Sequence, residues 1–195
     1  MVRRLVSLST LPSYRRFLAA ARSPERAQQR VWDEVLPLLR QSAEWRGRVR
    51  PRLADYAITE LDAYRPAIER SLQSGTSELN GERVFFWSQS AGTTGSRKLF
   101  PMTASFRRQF QRTVAPMIHG LLQRYPRFLA APALYFAATD PVERSAAGAG
   151  IGFISNYNYH TIPTLLRRRY AFPREVLRDA ATFERLISLP DGILL

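Results

Sequence analysis

Four consecutive apolar residues, Val84-Phe85-Phe86-Trp87, run straight into Ser88-Gln89-Ser90-Ala91-Gly92-Thr93-Thr94-Gly95-Ser96-Arg97-Lys98. An uninterrupted apolar run of this length suits a strand covered on both faces. The small polar residues after it have nothing to contribute to a core, so the chain leaves the interior there. Leu99-Phe100-Pro101-Met102 then reads as a returning strand. A fold that holds this junction needs a sheet with helices packed against it.

Helical spacing surrounds the junction. Over residues 10–22, Tyr14, Phe17, Leu18 and Ala21 share one face, with Thr10 or Ser13 as cap. Ser23-Pro24-Glu25 is a cap with proline at the first helical position. Trp32, Val35, Leu36 and Leu39 continue that helix to about Trp45, with a kink at Pro37. Arg46 to Asp55 is basic and irregular. A short helix spans Arg65–Gln73, and Ser74-Gly75 ends it. Thr103-Ala104-Ser105-Phe106 opens a helix to about Tyr125, bent at Pro116. Ala131–Ala138 reads as a second core strand, Ser145–Gly152 as a small-residue loop, and three segments (Thr161–Tyr170, Arg174–Arg178, Thr182–Leu189) as short helices. The expected class is mixed α/β (α+β), helices around a small incomplete sheet: a helical lead-in over 1–80, then a strand-and-loop part over 81–195.

Composition enters as a set of exclusions. With no cysteine among 195 residues, disulfides, thiolate metal sites and cysteine nucleophiles are ruled out. His119 and His160 are too far apart to suggest a metal cluster. No run approaches the roughly 18 apolar residues of a membrane span, and Pro12, Arg15 and Arg16 break up the only stretch resembling a leader, so the expectation is a cytoplasmic protein. The net charge of +13 fits an anionic partner. Arginines are scattered, however, and no zinc-finger, RNA-recognition or helix-turn-helix pattern accompanies them, so no specific nucleic-acid partner is expected.

The loop itself has three useful chemical properties. Glycines let successive backbone N–H groups converge on an anion, and hydroxyls add donors. Lys98 is the only lysine among 29 basic residues, a compact point charge where the rest of the chain uses the planar arginine fork. By composition this is either a phosphate cradle or a plain surface hairpin. It is not a Walker loop, since Gly-x-x-x-x-Gly-Lys-Ser/Thr is absent.

Residue order favours the cradle. Ser-Ala-Gly-Thr-Thr-Gly-x-x-Lys, flanked by Phe-Phe-Trp and Leu-Phe-Pro-Met-Thr, resembles the ATP-phosphate loop of adenylate-forming enzymes, and more narrowly the GH3 acyl acid–amido synthetases. Tyr64-Arg65-Pro66-Ala67-Ile68-Glu69-Arg70, the Pro101-Met102-Thr103 exit and Thr161-Ile162-Pro163-Thr164-Leu165-Leu166-Arg167 resemble further segments of that family. The resemblance covers most of residues 25–190. It implies the N-terminal part of an adenylate-forming domain and an ATP-dependent ligase that adenylates a small carboxylic acid and passes the acyl group to an amino acid. It implies that Ser90, Ala91, Gly92, Thr93, Thr94, Gly95 and Ser96 wrap the ATP phosphates, that Lys98 neutralises them as the catalytic residue, and that magnesium accompanies ATP. No residue is assigned to the metal.

Ala91 departs from the family pattern, which has serine or threonine there; a hydroxyl is lost and the backbone donor kept. Family members are also much longer, and their adenine- and magnesium-binding segment, hinge and C-terminal domain have no counterpart here. With the apolar ending Ile193-Leu194-Leu195, this leads us to expect a truncated product or fragment. Two rival readings follow: an inactive remnant of such a ligase, or a basic nucleic-acid-binding module. His160 and Asp140 are lesser site candidates. Arg167-Arg168-Arg169 reads as a solvated helix face, His119 as structural, and Trp32, Trp45 and Trp87 as anchors in or near the core.

Overall fold

The computed structural model describes residues 2–90, 97–127, 129 and 143–161. The expected strand Ala131–Ala138, the three C-terminal helices, Asp140 and Arg167–Arg169 lie outside the described residues.

Helix α1 (Val2–Arg22) starts nine residues earlier than a cap at Thr10, with Leu11 as first helical residue, would allow. Thr10 does not cap: its hydroxyl turns back onto the Val6 carbonyl at 2.8 Å, inside the helix. Pro12 is carried within α1. Helix α2 (Pro24–Gln41) begins at the expected proline but ends four residues before Trp45. Ser42 leaves the helical angles (φ −73°, ψ 146°), and its buried hydroxyl takes the Trp45 N–H at 3.0 Å. Trp45 is thereby freed to join an aromatic file. Trp32 and Tyr56 meet edge-on at 5.5 Å, Tyr56 and Trp45 at 5.4 Å, and Trp45 and Tyr64 at 5.8 Å. The Trp32 indole N–H donates to the Pro51 carbonyl at 2.6 Å. This file gives the basic segment 42–64 its order, along with two 3₁₀ turns, Leu53–Asp55 and Leu61–Tyr64.

Helix α3 (Arg65–Ser74) buries Ala67, Ile68 and Ser71. Gly75 ends it in the left-handed region at φ 75°, the conformation glycine adopts without a Cβ penalty. Strand β1 (Phe86–Gln89) pairs antiparallel with β2 (Leu99–Met102). β1 lies two residues later than the apolar run suggests. Hydrophobicity marks burial, which starts at Val84, whereas ladder pairing continues through polar Ser88 and Gln89. Helix α4 (Ala104–Arg124) follows where a helix was expected to open, capped by the Thr103 hydroxyl, which accepts the Phe106 N–H at 3.5 Å. Glu82 adds a second cap from outside the helix, accepting the Ser105 N–H at 3.0 Å.

The expected loop Ser145–Gly152 needs correction. Its last three residues are a strand, β4 (Gly150–Gly152), every one buried. β4 pairs parallel with β1, Trp87 opposite Ile151, and antiparallel with β3 (Glu143–Arg144), giving the order β2-β1-β4-β3. Two glycines and one isoleucine carry almost no hydrophobic signal, so the pattern missed them. Helix α5 (Ile154–Thr161) leaves β4 after one residue.

The two faces of β1 are covered by different helices. Trp87, fully buried, packs with Ile68, Val84 and Ile151, flanked by Leu61, Leu72 and Leu99. Phe86 faces Tyr157 of α5 at 5.9 Å. On a separate side, α1 lies along α4. His119, 2% exposed, receives Tyr14 against its ring at 4.7 Å, and its Nδ1 lies 3.0 Å from the Thr10 hydroxyl. Its other nitrogen lies 3.4 Å from Gln123 Nε2. The expected structural role for His119 follows from these contacts. Among the described residues, no helix is long and apolar enough to cross a membrane.

Candidate nucleotide-phosphate site

Because β1 and β4 are parallel, their C-terminal ends open on the same side of the sheet. In open α/β sheets that is the side where ligands gather, since helices leave it with their N-termini outward. α5 starts there. Its first turn is braced by fully buried Asn156, whose side-chain oxygen accepts the Phe153 N–H at 2.7 Å. The β1–β2 hairpin turns at the same end.

Ser90 and Lys98 form the last rung of that hairpin. The Ser90 N–H donates to the Lys98 carbonyl at 3.0 Å, and the Lys98 N–H donates to the Ser90 hydroxyl at 3.4 Å. Two of the residues that the sequence marks for phosphate binding are thus brought together. The other six, Ala91, Gly92, Thr93, Thr94, Gly95 and Ser96, lie outside the described residues. Lys98 is exposed, and among the described residues no carboxylate forms an ion pair with its ammonium. Lys98 lines a cavity of about 150 Å³ together with Leu61, Ile68, Leu72 and Leu99, and the carboxylate-bearing Asp62 and Glu69 line it too.

Arg97, one residue earlier, is tied down. Its guanidinium donates to the Gln89 side chain at 3.4 Å and forms an ion pair with Glu143 on β3. Neither residue was singled out from sequence. Glu143 becomes visible only once β3 is placed at the far edge of the sheet.

The His160 side chain lies outside the described residues. Among the described residues, no group of three or more histidine or acidic side chains converges as a metal site would require. The Ser90 hydroxyl and the Lys98 ammonium are groups that suit a phosphate, while the backbone N–H groups of both residues are taken up by the hairpin rung. Neither Ser90 nor Lys98 supplies a carboxylate oxygen of the kind that holds a magnesium ion.

An antiparallel hairpin beside a parallel strand, with helices packed on the sheet, defines a mixed α/β protein. Residues 13–188 match the GH3 family N-terminal domain, and the chain belongs to the GH3 family. Two solved structures share the fold. One, described as a GH3.15 acyl acid amido synthetase, has a TM-score of 0.65 and 16% identity, over 83% of this chain and 30% of that one. The other, AtGH3.15 acyl acid amido synthetase in complex with 2,4-DB, has a TM-score of 0.58 and 19% identity, over 69% of this chain and 25% of that one. The chain therefore spans about a quarter to a third of those structures. No curated protein sequence matches it.

Proposed function

We propose that this chain forms the triphosphate-binding part of an ATP-dependent acid–amino acid ligase. In the full reaction a carboxylate oxygen attacks the α-phosphorus of ATP and pyrophosphate leaves. The amine of an amino acid then attacks the acyl carbon, the amide bond forms and AMP departs. The chain's own contribution is electrostatic and positional. Ser90, Gly92, Thr93, Thr94, Gly95 and Ser96 would offer hydroxyl and backbone donors to the β- and γ-phosphates, and Ala91 a backbone donor alone. Lys98 would hold negative charge as it builds on the departing pyrophosphate. Magnesium, when bound with ATP, would offset phosphate charge; no step here is assigned to it.

The observation that carries this reading is the Lys98 ammonium at the sheet end where α5 begins, with no carboxylate paired to it among the described residues. Calorimetry with ATP tests it. Lys98→Ala is expected to weaken binding by about tenfold or more, the scale of one charge-assisted phosphate contact. Equal binding by both proteins would reject the loop assignment. Because Lys98 is the sole lysine, acylation by an amine reagent, mapped by peptide mass, should also slow when ATP is present.

The span of 25% and 30% of the two solved structures favours a second reading, in which these 195 residues bind nucleotide without turning it over. Pyrophosphate release with ATP and a set of small carboxylic acids separates the two.

A further inference from the structure

We propose that Arg97 is a positioning residue, which fastens the outgoing arm of the hairpin across the end of the sheet and so sets where Lys98 stands. The inference rests on the nucleotide reading above for its functional consequence, and on two contacts and one chain adjacency for its geometry. Arg97 immediately precedes Lys98. It holds Gln89 Oε1, at the end of β1, at 3.4 Å, and pairs with Glu143 on β3. The sheet order β2-β1-β4-β3 puts β2 and β3 on opposite edges, roughly 14 Å apart at three strand spacings. An ion pair from the root of β2 to β3 therefore crosses over the ends of both β1 and β4. Register fits this crossing: Glu143 lies opposite Ile151, and Ile151 opposite Trp87, so Glu143 occupies the end of β3 that faces the hairpin turn.

The pairing has a chemical logic. Two adjacent cations, Arg97 and Lys98, stand at one site. Glu143 engages the fork-shaped one, which suits a carboxylate, and the compact ammonium is left for the ligand. Arg97 thus serves as an anchor, acting on phosphate only through the placement of its neighbour.

The test is a double-mutant cycle with Arg97→Ala, Glu143→Gln and both together, read in three ways. The first readout needs no nucleotide: amide hydrogen exchange in the peptide carrying Ser90 and Lys98 should quicken in either variant while the melting temperature stays within about two degrees. The second is the ATP dissociation constant, expected to rise about two- to fivefold in each single variant, the scale of one partly exposed ion pair. The third is additivity: the double variant should be no worse than the poorer single one.

If Arg97 contacts phosphate directly, Glu143→Gln will leave ATP binding unchanged or tighter while Arg97→Ala weakens it, and the proposal falls. It falls equally if exchange quickens but ATP affinity does not change in a protein whose Lys98→Ala variant has lost affinity. Should Lys98→Ala bind ATP as well as the parent, the nucleotide reading fails on its own, and unchanged exchange in the two single variants would separately overturn the anchor.

Discussion

Glu82 shows how a single carboxylate can organise two elements. Partial burial raises its pKa, but hydrogen bonds from the Ser105 hydroxyl and N–H and from Thr103, with Arg108 nearby, outweigh that and leave it below the usual glutamate range. A carboxyl whose folded pKa is depressed stabilises the protein fully above its unfolded pKa, and the contribution disappears as pH falls through the folded value. The melting temperature should therefore decline below about pH 4.3, and Glu82→Gln should flatten that decline, as a pH series of thermal melts would show. His119 has a different role. It is buried between Tyr14, Thr10 and Gln123, and His119→Ala removes the wedge between α1 and α4. The expected cost is about 2–4 kcal/mol in denaturant unfolding, with ATP affinity unchanged.

Among elements, α3 depends on the glycine that follows it. At Gly75 a Cβ would enter the left-handed region and lie 2.9 Å from the Ala147 Cβ. Gly75→Ala should cost about 1–2 kcal/mol or more, measurable by urea unfolding. The stop at Ser74-Gly75 was legible because glycine after a helical pattern has a direct conformational meaning. The same holds for Pro24 at the start of α2, for Thr103 before α4 and for Leu99–Met102 as the returning strand. Elements set by distant partners were not legible. Nothing local in Gly150-Ile151-Gly152 predicts a strand; only β1 beside it does. The end of α2 at Gln41 depends on Ser42 capturing the Trp45 N–H, and the reach of α1 back to Val2 depends on packing against α4. At the candidate site, residue type nominates Ser90 and Lys98, and the structure places the two on one hairpin rung, while Glu143 depended on a sheet order that only long-range pairing creates.

At the scale of the whole molecule, charge is the dominant property. The described acids are largely matched: Glu44 with Arg48, Asp55 with Arg52, Asp62 with Arg65, Glu78 with Arg70 and Glu34 with Arg112. The surplus of +13 therefore rests on arginines beyond these pairs. Such a surface attracts polyanions without reading their sequence. Duplex DNA should be retained at low salt and released near 0.15 M, where screening acts over about 8 Å; retention that survives physiological salt would revive the reading as a nucleic-acid-binding module.

The parallel pairing of β1 with β4 also governs how the chain assembles. The β1–β2 hairpin closes locally, but β4 follows β1 by about sixty residues, and contacts of that separation form late. During synthesis, Phe86-Trp87-Ser88-Gln89 emerges with one backbone edge bare until Gly150 has left the ribosome. An exposed strand edge beside Phe86 and Trp87 is a template for pairing with another chain. Yield of soluble protein should therefore depend more on what happens around Gly150-Ile151-Gly152 than the modest size of that strand suggests.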